Sequence, residues 1–274
     1  RGYVTRRGKG EPLQYITGEV GFRHIAVKVR PGVLIPRPET EVLVSEALAL
    51  LPPACRPRAT DSRMTDAEAE ALLAAAQGEE GPAPGAPEPD APEPDALEPD
   101  APEHLLVADL CTGSGCIACS LAYEHPLAHV VATDVAPEAV ALARENVAAL
   151  GLAGRVDVVA CDLGEGVDPA LMGAFDLVVS NPPYVPTAVM AEVPREVADF
   201  EPTLALDGGA DGLDLFRPLA AWAARALKPG GVLACELHEG HMDAARAVAE
   251  AAGFSDCRIV DDLAGRPRVL VARR

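Results

Sequence analysis

Ser180-Asn181-Pro182-Pro183-Tyr184 puts an amide side chain, a stiffened carbonyl and an aromatic ring in consecutive positions. That set suits chemistry on a planar nitrogen carrying two hydrogens. The lone pair of such a nitrogen is delocalised, so it attacks poorly unless it is held and aimed. The Asn181 side-chain oxygen can accept one N–H, and the Pro182 carbonyl can accept the other. Prolines hold that backbone rigid, which leaves little orienting entropy to lose. Tyr184 offers a flat face to the substrate plane. Asn181, Pro182 and Tyr184 are the candidate catalytic residues. Asn181, Pro182, Pro183 and Tyr184 are the candidate acceptor contacts. A sulfonium donor is reactive enough for positioning to do most of the work, without a dedicated base.

A second set reads as a nucleoside site. Asp109-Leu110-Cys111-Thr112-Gly113-Ser114-Gly115 ends an apolar run and precedes a helical stretch. Gly113 and Gly115 let the backbone approach a ligand closely. Asp134 ends the next apolar run, placed to bridge a ribose diol. Asp162 follows a third run, where it can accept from an adenine amino group while Leu163 packs on the ring. Gly113 to Ala118 also satisfies G-x-G-x-x-A, so alone it does not separate a dinucleotide from S-adenosylmethionine. The Asn-Pro-Pro-Tyr sequence does, since a dehydrogenase has no use for it.

The elements that must position these residues alternate strand and helix from Leu105 onward. Strands are predicted at 105–110, 129–134, 156–161, 175–180, 231–237, 258–260 and 268–272. Helices are predicted near 117–124, 137–150, 213–227 and 242–252. Apolar strands alternating with helices imply a parallel sheet covered on both faces, with ligands beyond the carboxyl ends of its strands. Upstream, the alternation from Pro12 to Val33, punctuated by Gly18, Gly21 and Gly32, reads as a β-hairpin with an extended arm. Two prolines at 36 and 38 force a loop, and a helix follows to about Leu51.

The stretch from 52 to 103 differs in kind. It ends in a five-residue repeat (Ala86-Pro87-Glu88-Pro89-Asp90 and two near copies) with eight prolines between Gly81 and Glu103. It reads as a solvated, disordered, polyproline-like insertion, with an acidic docking tail as the alternative. The formal charge of the chain is −19. Much of the excess lies in this stretch, where thirteen acidic residues between Ala54 and His104 face three arginines. Such a balance argues against a protein that tracks a nucleic-acid backbone. The first ten residues are basic and lack the apolar core of a signal peptide. No apolar run is long enough to span a bilayer. Seven cysteines, an odd number set mostly in apolar segments, read as reduced and cytoplasmic. Cys111, Cys116 and Cys119 match part of an iron–sulfur spacing, but small core residues at a strand-to-helix turn explain them better, so no metal is expected.

The sequence resembles the HemK/PrmC family of protein-(glutamine-N5) methyltransferases that modify peptide-chain release factors. The resemblance runs through 10–18, 34–41, 109–115 and Asn181 to Tyr184. It continues through Phe200-Glu201-Pro202, Ala205-Leu206, Gly208-Gly209 and Asp211-Gly212-Leu213, and leaves out only the acidic stretch. It implies an α/β fold: a class I methyltransferase Rossmann-like doubly wound sheet, mostly parallel with an antiparallel last strand, preceded by a β-hairpin. Residues 1–33 would form the hairpin arm or linker, and 34–274 the S-adenosylmethionine-dependent domain. Cofactor contacts would fall on Thr112, Gly113, Ser114, Gly115, Asp134, Asp162, Leu163 and Asn181. Arg37 and Glu39 would join the acceptor contacts, with the loop from Arg37 to Glu41 walling the site. The partner implied is a release factor, met by a monomer without direct nucleic-acid contact. The family's N-terminal helical module, which engages this partner, would be lacking before Arg1. Cys111 stands where the family usually has glycine. The alternatives are a DNA adenine-N6 methyltransferase, which would need a basic target-recognition region, and a non-catalytic nucleotide-binding protein.

Overall fold

The computed structural model describes residues 2–53 and 104–274. Apart from Pro52 and Pro53, the reading of the acidic stretch as a disordered insertion lies outside the described residues. Residues 2–33 carry more helix than the alternation predicts. They form α1 (Gly2–Arg7), α2 (Leu13–Thr17), β1 (Glu19–Phe22) and β2 (Ile25–Lys28). The hairpin is present, but the expected extended arm from Pro12 is a helical turn. Pro12 opens it, and Gly18, in the left-handed conformation, closes it by donating its N–H to the Gln14 carbonyl. This turn buries Tyr15 and Ile16, and the Tyr15 hydroxyl donates to the Val33 carbonyl at 2.7 Å. Next comes α3 (Thr40–Leu50), which buries Leu43, Val44 and Ala47.

The main sheet contains β3 (Leu105–Leu110), β4 (Ala128–Asp134), β5 (Val156–Ala160), β6 (Phe175–Ser180), β7 (Leu227–Glu236), β8 (Ser255–Asp261) and β9 (Pro267–Arg273). Their order is β5-β4-β3-β6-β7-β9-β8, and only β9 runs antiparallel to its neighbours. Longer helices cover the sheet: α4 (Cys116–Glu124), α5 (Pro137–Ala149), then, after the short α6 (Arg195–Ala198), α7 (Phe216–Ala226) and α8 (Met242–Ala251). Along β3, Leu105 and Val107 point into one core with α3, α4 and the hairpin's Phe22, Ile25 and Val27. Ala108 and Leu110 point into a second core with Leu219, Trp222 and Ala223 of α7. Burial of each large aliphatic side chain contributes about 1.5–3 kcal/mol, so both faces hold the sheet. Among the described residues, no helix is long and apolar enough to cross a membrane.

The chain steps outward from β3 to β4 and β5, then crosses back to lay β6 on the other side of β3. At that reversal the loops after β3 and β6 leave in opposite directions, and a crevice opens between them.

Candidate active site

Leu110 pairs with Ser180 across β3 and β6, and the Ser180 hydroxyl donates to the Leu110 carbonyl at 2.7 Å. The loops beginning at Cys111 and Asn181 therefore emerge side by side. Cys111 has φ 59°, the left-handed region. A side chain there costs about 1–2 kcal/mol. Beneath the loop, buried Asp109 accepts from the Thr112 hydroxyl at 2.5 Å and from the Ala118 N–H at 3.1 Å through one oxygen. Burial pushes its carboxyl up to about 7, against those two hydrogen bonds. Asp109 is thus a brace between loop and α4.

At the end of β4, Asp134 accepts from the Gly113 N–H at 2.8 Å through Oδ2 and from the Ala136 N–H at 2.9 Å through Oδ1. Burial raises its proton affinity, and the backbone bonds oppose the rise. Each oxygen retains a second lone-pair site, so the carboxylate can bridge a diol while holding the glycine loop. Next along the sheet, the Cys161 N–H donates to the Asp134 carbonyl at 3.0 Å, which brings Asp162 to the same rim.

A cleft of about 950 Å³ opens over these strand ends, and Thr112, Gly113, Ser114, Asp134, Asp162, Leu163 and Asn181 all line it. Gly115 is absent from its lining. With φ 79°, a Cβ at Gly115 would sit 3.2 Å from the Ala143 Cβ, so this glycine lets α4 approach α5.

A second cavity, of about 690 Å³, adjoins the first and is lined by Pro182, Tyr184, Val193, Pro194, Val197 and Leu206 among others. Leu34, Arg37, Asn181 and Ala205 line both. Pro183 faces the first cleft. The Asn181 side-chain N–H donates to the Thr40 hydroxyl at 3.1 Å. The Tyr184 hydroxyl donates to Glu236 Oε1 at 3.3 Å, and burial raises its pKa. Arg37 donates to both oxygens of Glu201 at 2.7 and 2.8 Å. The Glu201 side chain is 1% exposed and that of Arg37 33%. Burial raises the Glu201 pKa, and the guanidinium opposes it. Glu39 lines neither cavity and instead pairs with Arg266 at 3.4 Å.

Two supporting residues, Asn146 and Glu236, escaped the sequence reading, and a third, Thr40, entered it only as part of the Arg37 to Glu41 loop. Asn146 on α5 is buried; it donates to the carbonyls of Lys28 and Ser114 and accepts the Lys28 N–H, which ties β2 to the glycine loop. Its signal was a lone amide between apolar Ala143 and Val147. Thr40 and Glu236 carry no signal of their own, since each acquires meaning only from partners distant in sequence. Gly208 packs under the Asn-Pro-Pro-Tyr backbone: a Cβ there would lie 2.7 Å from the Tyr184 Cα and 2.8 Å from the Pro183 carbonyl oxygen.

Comparison with known proteins bears on this site. Residues 96–196 match the family model "Methyltransferase small domain". The release factor glutamine methyltransferase of Moorella thermoacetica is 37% identical over 272 residues, 99% of this chain and 78% of that protein. The chain belongs to the release factor glutamine methyltransferase family. Members from Caulobacter vibrioides (36% identity, 98% of this chain and 75% of the relative) and Mycolicibacterium smegmatis (35%, 99% and 78%) extend the match. Among solved structures, a methyltransferase from Pyrococcus furiosus is similar with TM-score 0.47 and 20% identity, covering 62% of this chain and 75% of its own. A ribosomal protein L11 methylase from Lactobacillus delbrueckii subsp. bulgaricus gives TM-score 0.44 and 22%, covering 62% and 71%. In this family member, the chain's order of strands puts the glycine loop and Asn-Pro-Pro-Tyr at the same crevice.

Proposed function

We propose that this family member transfers a methyl group from S-adenosylmethionine to the side-chain amide nitrogen of a glutamine in a peptide-chain release factor. The observation that carries the reading is Asn181 in the wall between two adjoining cavities. The cleft over the glycine loop, which Asp134, Asp162 and Leu163 line, suits the nucleoside donor. Asp134 meets the ribose diol with its remaining lone pairs, Asp162 and Leu163 meet the adenine, and Thr112, Gly113 and Ser114 supply the floor. When bound, the donor supplies an electrophilic methyl on a sulfonium. The adjoining cavity takes the glutamine side chain between Pro182, Tyr184 and the apolar Val193, Pro194 and Val197.

Asn181 Oδ1 accepts one amide N–H of the glutamine, and the Pro182 carbonyl accepts the other. Both acceptors lie in the amide plane, so the nitrogen presents its face, where the lone pair is, to the methyl carbon. They also stabilise the partial positive charge that grows on the nitrogen as the new bond forms. One N–H proton then leaves to solvent and the neutral N-methyl amide remains. Apolar Leu34 and Ala205, on the shared wall, limit water at the transfer point.

The test is mass spectrometry of a release factor after incubation with this chain and S-adenosylmethionine. A gain of one methyl on a single glutamine is expected. Asn181→Ala should lower turnover by about a hundredfold or more, the scale for a lost positioned hydrogen-bonding group, with donor affinity nearly intact. No methyl on the release factor, or half the turnover left in Asn181→Ala, overturns the reading.

A further inference from the structure

Asn181 can serve the acceptor only if its oxygen, not its nitrogen, faces the substrate amide. A side-chain amide turned by 180° has the same shape and the opposite polarity, so something must hold it one way round. Its nitrogen donates to the Thr40 hydroxyl at 3.1 Å, and Thr40 is 2% exposed at the start of α3. A hydroxyl can accept one bond and donate another. The donor direction of Thr40 therefore decides whether its oxygen stays available to Asn181.

Glu236, at the end of β7, lies on the other side. It is 1% exposed, and the Tyr184 hydroxyl donates to its Oε1 at 3.3 Å. Its Oε2 has no partner within hydrogen-bond geometry. Burial raises the proton affinity of this carboxyl, and the nearby Thr40 and Tyr184 hydroxyls oppose the rise. Arg268 on β9 is the nearby cation, and Glu39 the nearby anion. A buried carboxyl with a free acceptor oxygen thus lies near both hydroxyls, one from the start of α3 and one from the Asn-Pro-Pro-Tyr loop itself.

We propose that Thr40 and Glu236 are positioning residues for methyl transfer: Glu236 draws the Thr40 hydroxyl proton, Thr40 accepts from the Asn181 nitrogen, and the Asn181 oxygen is thereby held toward the acceptor. A buried carboxylate with an incomplete set of partners costs stability. Its presence under the site is explained by polarity, which an apolar residue of the same volume cannot supply. Thr40 lines the first cleft at its edge with Asn181, but in this scheme neither residue touches the reacting atoms and both act through Asn181.

The inference rests on the glutamine-methyltransferase reading, and the experiment keeps the two apart. Turnover and KM for a release factor, donor affinity by calorimetry and melting temperature are measured for the parent, Thr40→Val, Thr40→Ser and Glu236→Met. A parent that does not methylate the release factor sinks the functional reading. With an active parent, Thr40→Val should lose kcat at least tenfold, with KM and donor Kd each within about threefold, while Thr40→Ser keeps at least half of kcat. Glu236→Met should melt no lower than the parent and yet lose kcat tenfold. Were Thr40→Val not to fold, Thr40→Ala is judged by the same criteria. Near-parent kcat in the Val or Met variant overturns the proposal. So does a Ser variant as impaired as Val, or a loss seen in donor affinity instead of kcat.

Discussion

Asp134→Asn tests the donor site most sharply, because the structure gives this carboxylate two duties at once. Oδ2 holds the Gly113 N–H at 2.8 Å and Oδ1 holds the Ala136 N–H at 2.9 Å. Asparagine has the same outline but one acceptor only. Whichever way its amide turns, an NH2 faces a backbone N–H, and an unsatisfied donor of that kind costs about 1–3 kcal/mol. If the amide keeps Gly113, the turn into α5 loosens. If it keeps Ala136, the glycine loop under the donor loosens. The charge-assisted bond to the diol is also lost, worth about 1.5–3 kcal/mol on its own. Since these costs overlap, a net loss of about 2–4 kcal/mol is expected, or roughly 30- to 1000-fold in donor Kd at 1.4 kcal/mol per decade. Titration calorimetry with S-adenosylmethionine and S-adenosylhomocysteine should show the same loss for both, because neither methyl nor sulfur charge is involved. Turnover at saturating donor should fall much less. A Kd within threefold of the parent would place the ribose elsewhere and refute the assignment.

Gly115→Ala should destabilise by about 2 kcal/mol or more, since φ 79° disfavours a side chain and its Cβ would press on Ala143 at 3.2 Å; a thermal melt should fall by about 4–8 °C, and an unchanged melt would deny the packing role. Arg37→Met should cost about 2 kcal/mol by stranding the buried Glu201 carboxylate, and adding Glu201→Met should restore most of it; two independent losses that simply add would show that the pair is not coupled. Asp109 carries a proton more tightly folded than unfolded, with a carboxyl pushed up to about 7 against an ordinary 3.8. Its contribution to stability is therefore full below about pH 4 and is lost as pH rises through about 7. Asp109→Asn should flatten that part of the stability profile in urea titrations, and an unaltered pH dependence would assign the slope to other groups.

The legibility of the sequence differed by kind of residue. Sheet and helices were readable from Leu105 on, because strands buried on both faces are short continuous apolar runs and each helix begins after a turn signal. The strand after α7 starts at Leu227, four residues before the expected Gly231, because Leu227 already pairs with Phe175; the residues after it bulge out, with Gly230 at φ 78°, before Val232 rejoins opposite Leu177. In the first 33 residues the two-residue alternation misled over 13–17: five residues contain too little to tell one helical turn from a strand, and Pro12 with Gly18 decided it. The side chains facing the two cavities were legible because a ligand's chemistry constrains residue type directly. Glu39 drew notice by its neighbours in the loop, yet its carboxylate turns to Arg266. Asn146 and Glu236 were not legible, nor was the individual part of Thr40 within the Arg37 to Glu41 loop, since the partners of each lie on a different element.

Those holding residues share a physical pattern. Asp109, Glu201 and Glu236 are all buried carboxyls whose proton affinity is raised by desolvation, and each lies behind a loop that forms the cavities. Asp109 holds the glycine loop to α4, Glu201 holds Arg37, and Glu236 faces Tyr184. An apolar side chain could fill any of these places at less cost, but it could not accept from an N–H or O–H and so could not choose a loop conformation. On the proposed function a methyl group travels in a line from one cavity to the other, and among the described residues Leu34, Arg37, Asn181 and Ala205 line both. Two of those four are carried on the segment before α3 and one follows Glu201 closely in sequence, so a small shift of either loop misaligns donor and acceptor together. Stability given up at three buried carboxyls is thus spent where a displacement of about 1 Å would cost the most turnover.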